Sequence, residues 1–242
     1  MAWNEHNKKY FYSFIDVRRK YDFGMKINVE DITLNYTKLG NGTPLILLHG
    51  NGEDHHIFDE LVFLLKNDYT VYAIDSRNHG ESSKTSDFSY EVMAKDIQLF
   101  IEKLNLENVQ IVGFSDGAII ALTLAIDNPE IFNKMVLLGI NLKPSDFKEE
   151  YMQWLVEEYK KTNDPLLKLM LEQPNVEIDT LRSVTTSTLV VAGENDLFKP
   201  HLYNCIVKKM PNAELLIMEG HNHDSYVVGV DILYPHLKRF LR

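Results

Sequence analysis

The sequence is poor in cysteine and has no long hydrophobic run. Its single cysteine, Cys205, has no second cysteine with which to form an internal disulfide, and this favours a reducing, cytoplasmic compartment. Because Cys205 lies in a segment with helical periodicity, we expect a small, buried apolar side chain there. The longest apolar stretches, such as residues 45–48 and 61–65, are far shorter than the roughly 18 residues that a membrane-spanning helix needs. We therefore expect no membrane span.

Basic residues are scarce relative to acidic ones. The 242 residues include 25 lysine and arginine residues and 35 aspartate and glutamate residues, which gives a formal net charge of -10 at pH 7. A protein of this charge is repelled by nucleic-acid phosphates and by anionic lipid surfaces, so we expect neither as a partner. With 45% hydrophobic and 25% charged residues, the composition is otherwise that of an ordinary globular protein.

Residues 1–24 also lack the apolar centre of a secretory signal. They combine charged residues such as Glu5, Lys8 and Arg18 with aromatic side chains. We expect this extension to remain on the protein and to pack on the main domain.

Short apolar runs alternate with segments of helical periodicity along the rest of the chain. This alternation predicts an α/β fold, in which a mostly parallel sheet is covered by helices on both faces. Most of the runs are almost continuously apolar, as expected for strands that are buried on both faces. The predicted strands are residues 32–39, 45–48, 70–74, 109–112, 135–139, 189–192 and 214–218. The predicted helices are residues 56–66, 90–104, 116–127, 201–209 and 225–241.

The alternation is interrupted once, where about 47 residues separate two consecutive strands. An ordinary connection is much shorter, so we interpret residues 141–187 as an inserted helical cap. The core then consists of residues 25–140 and 188–242.

One helical face of the predicted cap is rich in aromatic and apolar side chains. Trp154, Leu155 and Tyr159 lie on this face. The face either lines a substrate pocket or packs into the core, and the sequence alone does not distinguish these alternatives.

A candidate nucleophile lies between a predicted strand and a predicted helix, where residues 113–117 read Gly-Phe-Ser-Asp-Gly. In this context the pattern is typical of a tight turn that exposes a serine. Gly113 and Gly117 stand two positions to either side of Ser115, where the backbone needs small residues in order to double back. The turn would place the hydroxyl at a helix N-terminus, which favours developing negative charge. We therefore predict that Ser115 is a nucleophile, with an ordinary turn as the alternative.

Two loops that follow other strands carry possible supporting groups. Residues 49–52, His-Gly-Asn-Gly, form a glycine-rich bend that can present backbone N–H groups toward the serine. We predict an oxyanion site formed by the backbone N–H groups of Asn51 and Asp116. Asp196 follows a later strand and is the candidate for orienting a catalytic histidine, with Glu194 as the second choice.

These motifs resemble the α/β-hydrolase family from about Lys26 to the last residue. Residues 75–82, Asp-Ser-Arg-Asn-His-Gly-Glu-Ser, are similar to the family's Asp-x-Arg-Gly-His-Gly-x-Ser segment, although Asn78 replaces a glycine. Asparagine tolerates a left-handed backbone, so the turn can survive this change. The resemblance implies a structural role for His79. In the family's strand count, which is one ahead of the strands predicted here, residues 135–139 form the sixth strand, and the cap follows it. A serine at the turn differs from the relatives that form an ester on aspartate, which argues against epoxide hydrolase and haloalkane dehalogenase chemistry.

The resemblance also points to the general base. Residues 213–218 resemble the family's last strand, and the following Glu-Gly-His-Asn-His resembles its Gly-x-Gly-His loop. In this register His223 occupies the catalytic position, and His221 is a solvated or supporting residue. The other register would make His221 the base.

We therefore predict a serine hydrolase that cleaves an ester or related acyl bond of a small, uncharged substrate. His223 would take the proton of Ser115 while Asp196 orients the imidazole, and no metal or other cofactor is needed. The histidines at 55–56 and 221–223 are weak metal candidates, because neither a cysteine cluster nor a His-Glu-x-x-His motif accompanies them. The alternatives are a non-hydrolytic ligand receptor or regulatory protein on the same fold, or a C–C hydrolase, thioesterase, peptidase or lyase.

Overall fold

The structure of the protein is a computed structural model that describes residues 24–242. The predicted extension, residues 1–24, lies outside the described residues except for Gly24. The strands are β1 Met25–Val29, β2 Ile32–Leu39, β3 Thr43–Leu48, β4 Tyr69–Ile74, β5 Gln110–Phe114, β6 Lys134–Leu138, β7 Ser187–Gly193 and β8 Ala213–Met218. The α-helices are α1 Asp59–Leu65, α2 Tyr90–Lys103, α3 Asp116–Asp127, α4 Glu149–Thr162, α5 Pro165–Glu172, α6 His201–Lys209 and α7 Tyr234–Leu241.

The eight strands form one sheet in the order β1-β2-β4-β3-β5-β6-β7-β8. β2 pairs antiparallel with both β1 and β4. All the other neighbouring pairs are parallel. The carboxyl ends of β3, β5, β7 and β8 therefore meet at one edge of the sheet, and the loops that carry the predicted site residues begin there.

Helices cover both faces of the sheet, and each face has its own hydrophobic core. One core includes side chains of α2, α3 and α6, and it extends to Leu155 in α4 and Leu169 in α5. The other core is formed by α1 and α7 and includes Leu61 and Leu237. The strands contribute to both cores because successive side chains point to opposite faces. The predicted α/β fold with a mostly parallel sheet is thus confirmed.

The helical insertion after the sixth strand is also confirmed. Between β6 and β7 the chain forms α4 and α5, flanked by the short 3-10 helices Pro144–Asp146 and Ile178–Ser183. Asp164 caps α5 by accepting a hydrogen bond from the Leu166 N–H at 2.8 Å. The division of the chain into a separate cap and core stays a prediction. No helix in residues 24–242 is long and apolar enough to cross a membrane.

The segment after β4 fixes the sheet to α2. Arg77 donates from Nε and Nη2 to the two carboxylate oxygens of Asp96, each at 2.6 Å, and both side chains are buried. Asn78 has a φ of 68°, so it adopts the left-handed backbone expected for it. His79 hydrogen bonds through Nδ1 to the Arg77 carbonyl. These contacts agree with the structural role that the resemblance implied for this segment.

Two elements differ from the sequence prediction. The edge strand β1 was not predicted. Three of its five residues are exposed, and its sequence, Met-Lys-Ile-Asn-Val, contains no continuous apolar run. The predicted helix at residues 225–241 is wrong in its first half, where residues 225–229 and 232–233 form turns. Gly229 has a φ of 64°, which an α-helix does not allow, and the helix begins only at Tyr234.

The expected burial of Cys205 is also wrong. The residue lies in α6 as predicted, but its side chain is exposed. The buried face of this helix consists of Leu202, Tyr203 and Ile206. Helical periodicity placed Cys205 in the correct element and did not identify its face.

Candidate active site

Ser115 lies on a tight turn between β5 and α3. Its backbone φ is 51°, in the left-handed region, and its N–H donates to the Leu138 carbonyl of the neighbouring strand at 2.8 Å. A Cβ atom on Gly113 would clash with the Gly117 carbonyl, and a Cβ atom on Gly117 would clash with the Leu48 carbonyl. Both positions therefore require glycine because the backbone segments approach so closely.

Three predicted site residues come together at this turn. His223 Nε2 lies 3.1 Å from Ser115 Oγ, and His223 Nδ1 lies 2.7 Å from Asp196 Oδ1. Asp196 Oδ1 also accepts a hydrogen bond from the Leu197 N–H at 2.7 Å. This contact orients the carboxylate, which is 3% exposed. The arrangement fixes the imidazole with Nδ1–H toward Asp196 and the Nε2 lone pair toward the serine.

Asp196 and His223 stabilise each other's charged forms. Burial lowers the stability of a charged imidazole, but the adjacent Asp196 carboxylate outweighs this effect and raises the pKa of His223 above its ordinary value. Burial likewise opposes a charged Asp196, yet the interactions with His223 and the Leu197 N–H hold the pKa of this carboxyl below its usual range. Asp196 is therefore the anion that stabilises a proton on His223.

The alternative residues lie elsewhere in the same loops. His221 Nδ1 lies 3.1 Å from Ser225 Oγ, and no contact between the His221 side chain and Ser115 or Asp196 occurs among the described residues. Glu194 accepts a hydrogen bond from the Gly220 N–H at 2.8 Å. The structure thus brings His223 and Asp196, rather than His221 and Glu194, to the serine.

The glycine-rich bend after β3 lies against the serine and is held by two side chains. Ser76 N–H donates to His49 Nε2 at 3.1 Å, so His49 carries its proton on Nδ1 and donates to the Gly50 carbonyl at 2.7 Å. Burial lowers the pKa of His49, which keeps this imidazole neutral. The Gly50 N–H donates to Glu53 Oε2 at 2.9 Å.

The backbone N–H groups of Asn51 and Asp116 donate to no acceptor within residues 24–242. They are therefore free to receive a ligand oxygen, as the predicted oxyanion site requires. The two side chains contact each other, since Asn51 Nδ2 donates to Asp116 Oδ2 at 2.9 Å and to the Leu166 carbonyl at 3.2 Å. Tyr90 Oη donates to Asp116 Oδ1 at 2.8 Å. Burial raises the pKa of Asp116 above its ordinary value.

A small cleft that encloses about 30 Å³ opens beside Ser115. Apolar side chains from the inserted helices and the loop after β7 form much of its wall, and amide groups from two loops add polar atoms. Its lining residues are Tyr90, Ser115, Asp116, Asn141, Phe147, Met170, Gln173, Leu197 and Phe198.

The predicted pocket face of the cap is placed elsewhere. Trp154, Leu155 and Tyr159 lie in α4, and none of them is among the lining residues of this cleft. Leu155 is 2% exposed within the hydrophobic core, and Trp154 packs against the same core. Of the two alternatives for this face, the positions of Leu155 and Trp154 favour core packing, whereas Tyr159 belongs neither to the cleft lining nor to the core cluster of the described residues. Their helical spacing identified a shared face, but not what that face contacts.

Sequence reasoning also missed functional neighbours of the serine. Glu53, Tyr90 and Gln173 carry no recognisable motif, and long-range folding brings Tyr90 and Gln173 to the site. For Glu53 a signal was available in the sequence, because it directly follows the glycine-rich bend and accepts a hydrogen bond from the Gly50 N–H.

One group of possible metal ligands occurs among the described residues. Asp54, His55 and His56 have ligand atoms within 4.8 Å of one another. Protein partners already occupy these side chains, since His55 pairs with Asp75 at 2.7 Å and His56 pairs with Asp59 at 3.2 Å. The serine site lies apart from this group and requires no metal for the chemistry of its residues.

The comparisons with known proteins agree with this geometry. Residues 43–173 match the model of the α/β hydrolase fold family. Ethanol acetyltransferase 1 of Cyberlindnera jadinii is 25% identical over 190 residues, which cover 78% of this chain and 52% of that protein. The chain thus spans about half the length of this relative. A candidate esterase/lipase of Haemophilus influenzae is 25% identical over 240 residues, which cover 83% of this chain and 84% of that protein.

The fold has a close counterpart among solved structures. The crystal structure of naproxen esterase from Bacillus subtilis superposes with a TM-score of 0.76. The match covers 90% of this chain and 91% of that one, at 16% sequence identity. At this identity the likeness concerns the fold.

Proposed function

The chain belongs to the α/β-hydrolase fold family, and from this premise we propose that it is a serine hydrolase that cleaves a carboxylic ester or a related acyl bond. The observation that carries the proposal is the hydrogen-bonded series from Ser115 Oγ through His223 to Asp196, with distances of 3.1 and 2.7 Å. A hydroxyl is a weak nucleophile, and it becomes effective when a base accepts its proton and a third group orients that base.

The first half of the reaction forms an acyl-enzyme. Ser115 Oγ attacks the carbonyl carbon of the substrate, and its proton passes to His223 Nε2. Asp196 stabilises the resulting imidazolium, while the N–H groups of Asn51 and Asp116 receive the negative oxygen of the tetrahedral intermediate. The bond to the leaving group then breaks, and His223 gives its proton to the leaving oxygen.

The second half releases the acid. Water attacks the acyl carbon and gives a proton to His223 Nε2, which returns it to Ser115 as the acyl–oxygen bond breaks. The products are a carboxylic acid and an alcohol, and the enzyme regains its starting protonation state.

The cleft supports a small, uncharged acyl group as the substrate class. The space that the cleft encloses is about 30 Å³, which favours a short acyl chain. Phe147, Met170 and Phe198 supply apolar wall, and the Asp116 carboxyl in the lining disfavours an acidic acyl group.

The test uses a fluorophosphonate probe, which forms a covalent bond with an activated serine. We expect mass spectrometry to find one adduct, on Ser115, and Ser115→Ala to lose it together with about 10⁴-fold to 10⁶-fold of ester hydrolysis. Ser183→Ala is the matched control, because this exposed serine bonds only to the Thr180 carbonyl. Full hydrolysis by Ser115→Ala would reject Ser115 as the nucleophile. Absence of both labelling and ester hydrolysis in the folded parent protein would reject the proposal and favour a ligand receptor.

The acetyltransferase relative favours a second candidate, transfer of the acyl group to an alcohol. An alcohol would replace water in the second half of the reaction, and the same residues would move the same proton. Adding ethanol to a p-nitrophenyl acetate assay distinguishes the two outcomes. Ethyl acetate as the main product identifies a transferase, whereas acetate alone identifies a hydrolase.

A further inference from the structure

Glu53 lies beside the reacting serine but takes no part in the mechanism described above. Its Oε2 accepts a hydrogen bond from the Gly50 N–H at 2.9 Å, and its own N–H donates to the Gly50 carbonyl at 3.4 Å. A Cβ atom on Gly50 would lie 2.8 Å from Glu53 Oε2 and 3.2 Å from Ser115 Cβ. The carboxyl oxygen and the serine Cβ therefore both lie close to Gly50, next to the same point on its surface.

These two hydrogen bonds close the turn of residues 50–53. Asn51, whose N–H is a candidate oxyanion donor, lies within this closed turn. Because the donor must point at the oxygen of the intermediate rather than at that of the substrate, its value depends on how firmly the turn is held. Glu53 holds it from one side, and the hydrogen bond from His49 to the Gly50 carbonyl holds it from the other.

The surroundings of Glu53 favour its neutral form. Burial is the largest influence and raises the pKa of this carboxyl to about 8, against the opposing effects of the Gly50 N–H and His223. The nearby acidic groups, Asp224 and Asp116, act in the same direction as burial. A protonated carboxyl still offers a carbonyl oxygen, so the hydrogen bond from Gly50 does not require the anion.

We propose that Glu53 is a positioning residue of the oxyanion turn that works in its neutral form, and that loss of its proton sets the alkaline limit of the reaction. This inference rests on the proposed function, because the charge that Glu53 would oppose is the oxyanion of acyl transfer. An ionised carboxylate next to this site repels the developing negative charge. It also raises the pKa of His223 and so keeps the base protonated to a higher pH.

The experiment measures kcat and KM for p-nitrophenyl acetate between about pH 6 and about pH 10. The variants are Glu53→Gln, which keeps the acceptor but cannot ionise, and Glu53→Ala, which removes the acceptor. Glu194→Gln is the matched control, since Glu194 also accepts a glycine N–H but lies away from Ser115.

We expect the parent protein and Glu194→Gln to lose activity as the pH rises through about 8. Glu53→Gln should keep its activity near neutrality within about threefold and show no such decline. Glu53→Ala should lose about 10-fold to 100-fold in kcat with little change in KM, because the oxyanion donor acts mainly in the transition state.

Two results would overturn the role of Glu53. One is an alkaline decline of Glu53→Gln at the same pH as in the parent protein, and the other is an unchanged kcat in Glu53→Ala. Fluorophosphonate labelling of the same samples separates this failure from failure of the proposed function. If Ser115 is labelled but Glu53→Gln loses activity at the same alkaline pH as the parent protein, only the role of Glu53 is rejected. If the folded parent protein is not labelled, the proposed hydrolase function itself is rejected.

Discussion

At the scale of single residues, the site depends on which of two nearby histidines faces the serine. His223 contacts both Ser115 and Asp196, whereas His221 contacts Ser225 at the surface. We predict that His223→Ala loses about 10⁴-fold to 10⁶-fold in kcat, while His221→Ala stays within about 10-fold of the parent protein.

The pH dependence of activity in the same variants tests which histidine is the base. The base must be neutral in order to accept the serine proton, so activity falls as the pH drops through the pKa of His223. Because Asp196 raises this pKa, the acid limb should lie above the ordinary histidine value of about 6.5. His221→Ala should keep this limb in place. If His221→Ala removes the limb and His223→Ala retains it, the assignment passes to His221.

Part of the site could be predicted from the sequence because part of its chemistry is local. Ser115 is identified by two glycines that each lie two positions away, between an apolar run and a helical segment, and this pattern is short-range. The pairing of Asp196 with His223 joins two loops that are 27 positions apart, so strand order supplied candidates and the sheet decided between them. Tyr90 and Gln173 reach the site only through tertiary packing, which no short-range pattern describes.

At the scale of elements, α4 and α5 have different roles beside the same cleft. Leu155 in α4 is 2% exposed within the core, whereas Met170 in α5 lines the cleft. We predict that Met170→Ala widens the cleft and shifts the preference in kcat/KM toward longer acyl chains. Leu155→Ala should instead lower the free energy of unfolding by about 2–5 kcal/mol without changing that preference.

A series of p-nitrophenyl esters of increasing acyl length, together with urea unfolding of both variants, tests this division. An altered chain-length preference in Leu155→Ala at unchanged stability would return this helical face to the pocket.

How well the sequence predicts each strand depends on how far the strand is buried. Strands such as β3 and β7 are buried on both faces, so their sequences are continuously apolar and easy to recognise. β1 pairs only with β2 at the sheet edge and needs no such run. Cys205 is exposed and Trp154 packs against the core. Both cases show that periodicity identifies a helix but does not determine what each face of the helix contacts.

At the scale of the whole molecule, two buried histidines link folding stability to acid. Burial lowers the pKa of His49, and burial together with the nearby His49 lowers the pKa of His79 to about 4. Both are thus neutral in the folded protein and bind protons more readily when unfolded. Between about pH 6.5 and about pH 4 each of these histidines binds more protons in the unfolded chain than in the folded protein, so its contribution to stability falls as the pH falls.

We predict that His79 lowers the free energy of unfolding by roughly 1–3 kcal/mol over this interval, measured as the difference between the parent protein and His79→Asn in urea unfolding at a series of pH values. His201→Gln is the control, because this exposed histidine should leave the slope unchanged. Equal slopes in all three proteins would show that the acid sensitivity arises elsewhere.

The backbone of Ser115 implies a conflict between stability and activity at this position. Its φ of 51° and ψ of -114° are unfavourable for a residue with a side chain, and the serine hydroxyl does not cap α3 in compensation. Glycine adopts such angles without this penalty. Ser115→Gly and Ser115→Ala both lose the nucleophile, but we expect the glycine variant to be the more stable of the two by on the order of 1 kcal/mol. Ordinary side-chain propensity would give the opposite order, so chemical unfolding of the pair measures how much stability the protein gives up to hold its nucleophile in place.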